Sequence, residues 1–325
     1  MIARPEVSIV MSAYNGALHF AETMDSILSQ DSVDFEFIVV NDGSDDETGR
    51  LLEQYAEQDN RIRAVHQSNM GLTRALIRGC NLARGDFIAR QDVGDISLPL
   101  RLKKQVAALK SEECVFVSCW TDIIGPNREF LYSSRGTGKA SRPIGILTSE
   151  ARRGVVDGPT HHSTVAFRKE QYAICGGYRP EFYYAQDWDL WYRIASLGKF
   201  YIIPETLCIC RFALGSISGQ YREKQEQFAE LAKKAMLARR HGFSDKYVLD
   251  DARKIIDEFE RSRSRDTAAE LYFIGKCLMA NRNNTAIGYL FSAIRHNPLH
   301  FRAWLSLIWS IFFWLFYKDA RKHSV

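Results

Sequence analysis

The sequence predicts an α/β protein, a Rossmann-like, mostly parallel sheet flanked by helices, followed by a C-terminal helical extension. Three observations predict it. Short apolar runs alternate with helix-period segments through the first hundred or so residues, the order that builds a parallel sheet. A chain of 325 residues with 46% hydrophobic content can bury a full core. From Gln220 onward the composition shifts to helix formers rich in Lys, Arg, Glu and Ala.

The elements follow in order. Strands are expected at Val7 to Ser12, Phe35 to Val40, Arg61 to Val65 and Phe87 to Arg90, each followed by a helical pattern such as Phe20, Met24, Ile27 and Leu28. Residues 1–110 form one part. Residues 111–218 are more irregular, with strand-like runs at Thr164 to Arg168 and Phe200 to Ile203, and complete the site. Together they make one domain over 1–218, and 219–325 is the extension. Within the extension, Arg261 to Arg265 reads as a polar joint. Ala268 to Ala280 followed by Asn284 to Asn297 reads as a helical hairpin of the tetratricopeptide kind.

Residues 303–317 are uncharged and hold Trp304, Trp309 and Trp314, with Arg302 before them and Lys318, Arg321 and Lys322 after. As a helix this run extends ~22 Å, short of the ~30 Å hydrocarbon core of a bilayer. It either lies in the interface of an anionic membrane or packs against protein as a terminal helix.

Composition excludes several classes. The formal net charge is +4, with no basic block interleaved with aromatics, so a nucleic-acid groove is not expected. Seven cysteines without a C-x-x-C pair indicate neither a disulfide framework nor a zinc site, and fit a reducing cytoplasm. The apolar run at Val7 to Met11 is too short for a signal-peptide core, so export is not expected.

Four segments carry carboxylates or turns of chemical interest. The first strand runs into Ala13-Tyr14-Asn15-Gly16 without G-x-G-x-x-G, which argues against a dinucleotide fold. The second ends in Asn41-Asp42-Gly43-Ser44, where Asp42 either accepts a hydrogen bond from a nucleotide or shapes the turn. The fourth delivers Arg90-Gln91-Asp92-Val93-Gly94-Asp95, two carboxylates that suit Mg²⁺ or Mn²⁺ or else form a solvated acidic turn. Finally, Asp187 begins a helical pattern continued by Leu190, Trp191, Ile194 and Leu197, where the helix dipole helps keep it ionised. A general base and a helix cap both fit that place.

Taken together, Val7 to Gly16, Val39 to Thr48, Ile88 to Arg101, Thr160 to Arg168, Gly176-Gly177-Tyr178 and Asp187 to Arg193 resemble the family 2 nucleotide-sugar glycosyltransferases, inverting enzymes of the A-type fold, here of the bacterial cell-surface polysaccharide type. The resemblance covers about residues 5–218 and implies a catalytic domain over 1–218, with a nucleotide-binding part at about 1–110 and an acceptor part at about 111–218. It implies that Ala13, Tyr14, Asn15, Asp42, Arg90, Asp92, His161 and Arg211 bind the donor, Asp42 at the nucleobase. It implies that Asp92 and Asp95 hold Mg²⁺ or Mn²⁺ on the diphosphate, that Asp187 is the catalytic base, and that Ser163 lies near the site.

The implied partners are a nucleoside-diphosphate sugar donor and a glycan or lipid-linked oligosaccharide acceptor, with the protein cytoplasmic or peripheral on the cytoplasmic face of the inner membrane. The chain departs from the family pattern in three places. Gly94 stands where a third carboxylate is common, Ala213 stands where a histidine follows Arg211 by two, and Gln186 precedes the base in place of glutamate. The first two motivate an alternative, a nucleotide-sugar-binding or scaffold protein of a polysaccharide assembly complex that has lost catalysis.

Overall fold

The computed structural model describes residues 4–110, 114–136, 149–150, 155–156, 158–215, 222–259 and 267–320. The expected joint at 261–265, the boundary at residue 218 and the flanking Arg321 and Lys322 fall outside these residues. Two compact units divide the chain: Met1–Thr121 with Ser133–Cys210 and Lys224–Arg261, and Asp122–Tyr132 with Arg211–Glu223 and Ser262–Val325.

In the first unit, β1 (Val7–Ala13), β2 (Phe35–Asp42), β3 (Ile62–Gln67) and β4 (Phe87–Asp92) lie parallel in the order β3-β2-β1-β4. The chain steps outward from β1 to β3, then crosses back to set β4 on the other side of β1. Open α/β sheets hold ligands at the carboxyl ends of the strands where the order reverses in this way. β2 is buried along its length and β1 nearly so, as strands covered on both faces must be.

Helices α1 (Ala17–Leu28), α2 (Thr48–Gln58) and α3 (Leu72–Leu82) make the crossovers. Phe20, Met24 and Ile27 of α1 share one face and pack with Ile9, Met11, Phe37, Val39 and Leu52 in the main core. β2 and β4 outrun their expected apolar runs by two residues each, so each strand ends on a carboxylate, Asp42 and Asp92.

Next to β4 the pairing turns antiparallel. β10 (Ala166–Arg168) pairs on one side with β4 and on the other with β6 (Cys114–Ile124). The long β11 (Lys199–Arg211) pairs with both β6 and the short β5 (Ile96–Ser97), and β7 (Phe130–Gly136), β9 (Val155–Val156) and β8 (Ser149–Glu150) continue the path. Helices α4 (Arg101–Lys110), α5 (Lys169–Ile174) and α6 (Gln186–Ala195) complete this part.

Two later helices, α7 (Arg222–Arg240) and α8 (Lys246–Phe259), also belong to the first unit. Phe228 of α7 meets the rings of Phe182 and Tyr184 edge-on, and Asp245 pairs with Arg179 (2.7 Å) and with Arg239.

The second unit holds α9 (Thr267–Ala280), α10 (Ala286–His296) and α11 (Phe301–Ala320), so the expected hairpin forms within two residues of its predicted bounds. Leu271, Leu290, Ala293, Ile294, Ala303 and Leu307 make its core. Glu129 accepts from Tyr289 Oη at 2.7 Å and Glu270 from the Gly215 amide, fixing the preceding segments to the helices. Among the described residues no helix is long and apolar enough to cross a membrane.

Candidate active site

The loops after β1, β2, β3 and β4 meet at the carboxyl edge of the parallel strands and bind one another. Asn15 takes φ 48°, and its amide donates to Ser44 Oγ (3.0 Å) while its side-chain oxygen accepts from the Asp45 amide (3.0 Å). Tyr14 stands half exposed beside it. Gly43 takes φ +72°, and a Cβ there would lie 2.5 Å from the Asn69 backbone nitrogen, so the turn after Asp42 requires glycine.

Asp42 is buried, and its carboxylate accepts from Gln67 Nε2 (2.6 Å), the Met70 amide (2.9 Å) and the Gly71 amide (2.8 Å). It therefore organises the β3–α3 loop. Of the roughly four lone-pair sites of a carboxylate, about one remains for a ligand.

At the end of β4, Arg90 is almost fully buried and Nη2 holds Asp92 Oδ1 at 2.6 Å, while its Nε and Nη1 have no hydrogen-bond partner among the described residues. Gly94 takes φ +95° and gives its amide to Thr23 Oγ1 at 2.9 Å. The turn closes when the Asp95 amide bonds back to the Asp92 carbonyl. Glycine thus stands at the absent carboxylate position because the backbone there is left-handed.

This turn separates the two expected metal carboxylates. Asp92 gathers His161 and His162, whereas Asp95 faces inward to His161 and Cys210. The ligand atoms of Asp92, His161 and His162 lie within 4.8 Å of one another, a set with one carboxylate, which fits a divalent cation that takes one or two carboxylates from protein and the rest from its substrate.

His162 was not singled out by the sequence. Its Nε2 touches Asp92 Oδ2, and its Nδ1 lies 3.7 Å from Asp187 Oδ2, so one imidazole spans the acidic turn and the start of α6. Burial disfavours its charge, but the Asp92 and Asp187 carboxylates outweigh that and raise its pKa to about 10. Asp92 is correspondingly held well below the usual carboxylate range, with His162 and Arg90 outweighing burial. The neighbouring His161 is pushed down to about 4 by burial and by repulsion from His162. An ion pair and a neutral imidazole therefore stand side by side.

The cap position of α6 falls on Ala185, at φ 52°, so Asp187 lies inside the first turn. Its Oδ1 takes the Trp188 amide at 2.9 Å, and Oδ2 faces His162. Two residues on, Asp189 is fully buried between Arg179 and Arg193 and anchors the helix.

Arg101, which the sequence marked only as the end of the Ile88 to Arg101 segment, is fully buried at the start of α4. Its guanidinium donates to Gln91 Oε1 (2.7 Å), Ser97 Oγ (2.6 Å), the Arg90 carbonyl (2.6 Å) and the Ser163 carbonyl (2.6 Å), tying the histidine turn to the acidic one.

Ala13, Tyr14, Asn15, Asp42, Arg90, Asp92, Asp95, His161, Ser163 and Asp187 all lie in the first unit. Arg211 lies in the second, where Nη1 donates to the Pro126 carbonyl at 3.2 Å.

Comparison with known proteins places this arrangement. The family model described as glycosyl transferase family 2 matches residues 8–172, just over half of the chain. The O-antigen biosynthesis glycosyltransferase WbnJ of Escherichia coli is 30% identical over 195 residues, 58% of this chain and 71% of that one. Among solved structures, S. aureus TarS in complex with UDP-GlcNAc shares the fold with a TM-score of 0.57 at 17% identity, over 94% of this chain and 89% of that one. The mannosyltransferase PcManGT of Pyrobaculum calidifontis, in complex with GDP-Man and Mn²⁺, gives a TM-score of 0.52 at 20% identity, over 95% and 88%.

Proposed function

The chain belongs to glycosyl transferase family 2 and has the A-type fold, and on that premise we propose that it moves a sugar from a nucleoside-diphosphate sugar to a hydroxyl of a glycan or lipid-linked acceptor by one inverting displacement. The observation that carries this reading is the span from Asp92 through His162 to Asp187, which sets a carboxylate on α6 one imidazole away from the acidic turn at the strand reversal.

Asp187 accepts the proton of the acceptor hydroxyl as its oxygen attacks the anomeric carbon. His162 orients that carboxylate and keeps it in register with Asp92. The loop of Ala13, Tyr14 and Asn15 and the remaining lone pair of Asp42 receive the nucleoside, and the buried Arg90 places positive charge beneath the departing diphosphate. A Mg²⁺ or Mn²⁺ held by Asp92 with the neutral His161 would supply further neutralisation of that leaving group, His162 staying paired between Asp92 and Asp187. PcManGT binds GDP-Man and Mn²⁺, and TarS binds UDP-GlcNAc, which supports a donor of this class. WbnJ acts in O-antigen biosynthesis, which supports a cell-surface glycan as the acceptor.

Peripheral contact with the cytoplasmic membrane face belongs to the same reading. On α11, Phe301, Trp304, Leu305, Ile308 and Trp309 recur at three- and four-residue spacing and are all exposed, with Ile308 at 60% and Trp309 at 62%. Arg302 stands in the same first turn, and an interfacial helix pairs such a face with flanking cations.

The test is Asp187→Asn. Loss of general-base help lowers kcat by about 10²- to 10⁴-fold while donor affinity stays within about twofold. Wild-type turnover in this variant, read as nucleoside diphosphate released in the presence of acceptor, would refute the assignment. Release by neither protein across a panel of donors and acceptors would favour the non-catalytic binding protein instead.

A further inference from the structure

Behind the acidic turn, His161 also faces two side chains that the proposed transfer does not use, Asp95 and Cys210. Cys210, on β11, is 1% exposed, and its Sγ lies 3.3 Å from Thr121 Oγ1 and 3.3 Å from Ser163 Oγ. Ser163 Oγ is also 3.0 Å from His161 Nδ1, and that nitrogen stands 3.8 Å from Asp95 Oδ2. The ligand atoms of Asp95, His161 and Cys210 all lie within 4.8 Å of one another.

We propose that Asp95, His161 and Cys210 form a binding site for a thiophilic divalent cation, Zn²⁺, separate from the cation of the donor diphosphate.

The donor chemistry selects the ion. Sulfur, imidazole nitrogen and carboxylate oxygen are the three ligand types that Zn²⁺ accepts together, and three protein ligands leave its fourth position open. Mg²⁺ avoids thiolate. The charges of ion and ligands also match: the dication, the Cys210 thiolate, the Asp95 carboxylate and a neutral His161 sum to zero. Binding breaks the Cys210 S–H bond, forms a Zn–S bond and releases one proton to solvent. Ser163 Oγ bonds both the thiol and the imidazole Nδ1, so it holds the two ligand side chains together before the ion arrives and gives up those contacts when the ion binds. Access runs past His161, whose side chain is about a third exposed.

His161 belongs to the candidate cation groups at both Asp92 and Asp95. A zinc ion on the inner side therefore withdraws it from the outer one, so Zn²⁺ opposes activation by Mn²⁺ where the transferase reading holds. The site itself does not depend on that reading, and a spectroscopic readout keeps the two apart.

The experiment strips the full-length protein with a chelator and titrates it with Co²⁺, which takes zinc sites and reports a coordinated thiolate by a charge-transfer band in the near ultraviolet. The wild type is expected to show that band, to lose it on adding one equivalent of Zn²⁺, and to release about one proton per ion bound. Cys210→Ser is expected to lose the band while unfolding at an unchanged temperature and retaining donor binding.

Cys119→Ser and Cys208→Ser serve as controls, because those thiols are buried nearby and are expected to leave the band intact. Absence of the band in the wild type overturns the proposal. So does a band that survives Cys210→Ser or vanishes only with Cys119 or Cys208. Should Cys210→Ser fail to fold, the wild-type band and its retention in both control variants still decide the matter.

Discussion

Replacing Asp189 by asparagine removes one charge and almost no volume, at a place where charge is what matters. The carboxylate is fully buried. Arg179 holds it through Nε at 3.0 Å and also through Nη2, and Arg193 holds it through Nη2 at 2.6 Å and Nε at 3.1 Å. Removing one partner of a buried ion pair costs about 3–5 kcal/mol, because the remaining charge is left without compensation.

Here the two arginines keep some partners. Arg179 still reaches Asp245 at 2.7 Å, and Arg193 still donates to the Cys175 carbonyl at 2.6 Å. The lower end, about 3 kcal/mol, is therefore expected. At roughly 2–4 °C per kcal/mol for a domain of 150–250 residues, the melting temperature falls by about 6–12 °C. Urea unfolding followed by tryptophan fluorescence measures the loss, and an unchanged m-value shows that the native and unfolded states are otherwise alike. Destabilisation below about 1 kcal/mol would refute the reasoning, since it would mean that the pair is worth no more than one at the surface.

Three further outcomes follow from the geometry. Glu36 is buried near the start of β2, where bonds from the Ser8 hydroxyl and from Arg84 outweigh burial and lower its pKa below the ordinary 4.5; its stabilising effect is complete above that value and fades as pH falls through the lowered one, so Glu36→Gln should show a shallower acid limb in stability measured from pH 7 to 3. An acid limb parallel to that of the wild type would count against it. Gly43→Ala forces a side chain into the left-handed region and against the Asn69 backbone, and is expected to cost about 2 kcal/mol or more in thermal unfolding; a neutral result would remove the steric argument for this turn. Exchanging Ile308 and Trp309 for serine is expected to weaken sedimentation with vesicles containing anionic lipid by at least about tenfold, and a wild type that ignores such vesicles would exclude the membrane reading.

The parallel half of the fold was legible because its signals are local. Val7 to Ser12 and Phe35 to Val40 are short apolar runs bounded by turn residues, and the pattern of Phe20, Met24 and Ile27 names its own buried face. The antiparallel half was less so. β6 (Cys114–Ile124) and β11 (Lys199–Arg211) exist through partners scores of residues away, and β11 carries Pro204 and Glu205 in its middle, so only Phe200 to Ile203 of its thirteen residues read as a strand. The same limit applied to the site. Asp92 and Asp187 were visible from a strand end and a helix start, but the role of His162 depends on the two meeting in space. Its neighbour His161 drew attention instead, although both stand in the same Thr160 to Thr164 turn. Gly94 read as a loss, and its positive φ reveals a requirement of the turn.

The four bonds of Arg101 bear on how the chain can be divided. Three of its acceptors lie between residues 90 and 97, but the fourth, the Ser163 carbonyl, arrives more than sixty residues later in the chain. Likewise β10 shields the flank of β4 that would otherwise be an open sheet edge. A fragment ending at residue 110 would thus carry an interior cation short of one acceptor and an adhesive strand. Residues 1–110 are not a module to be excised or swapped between relatives, and chimeras between relatives should be joined beyond β10 rather than after α4.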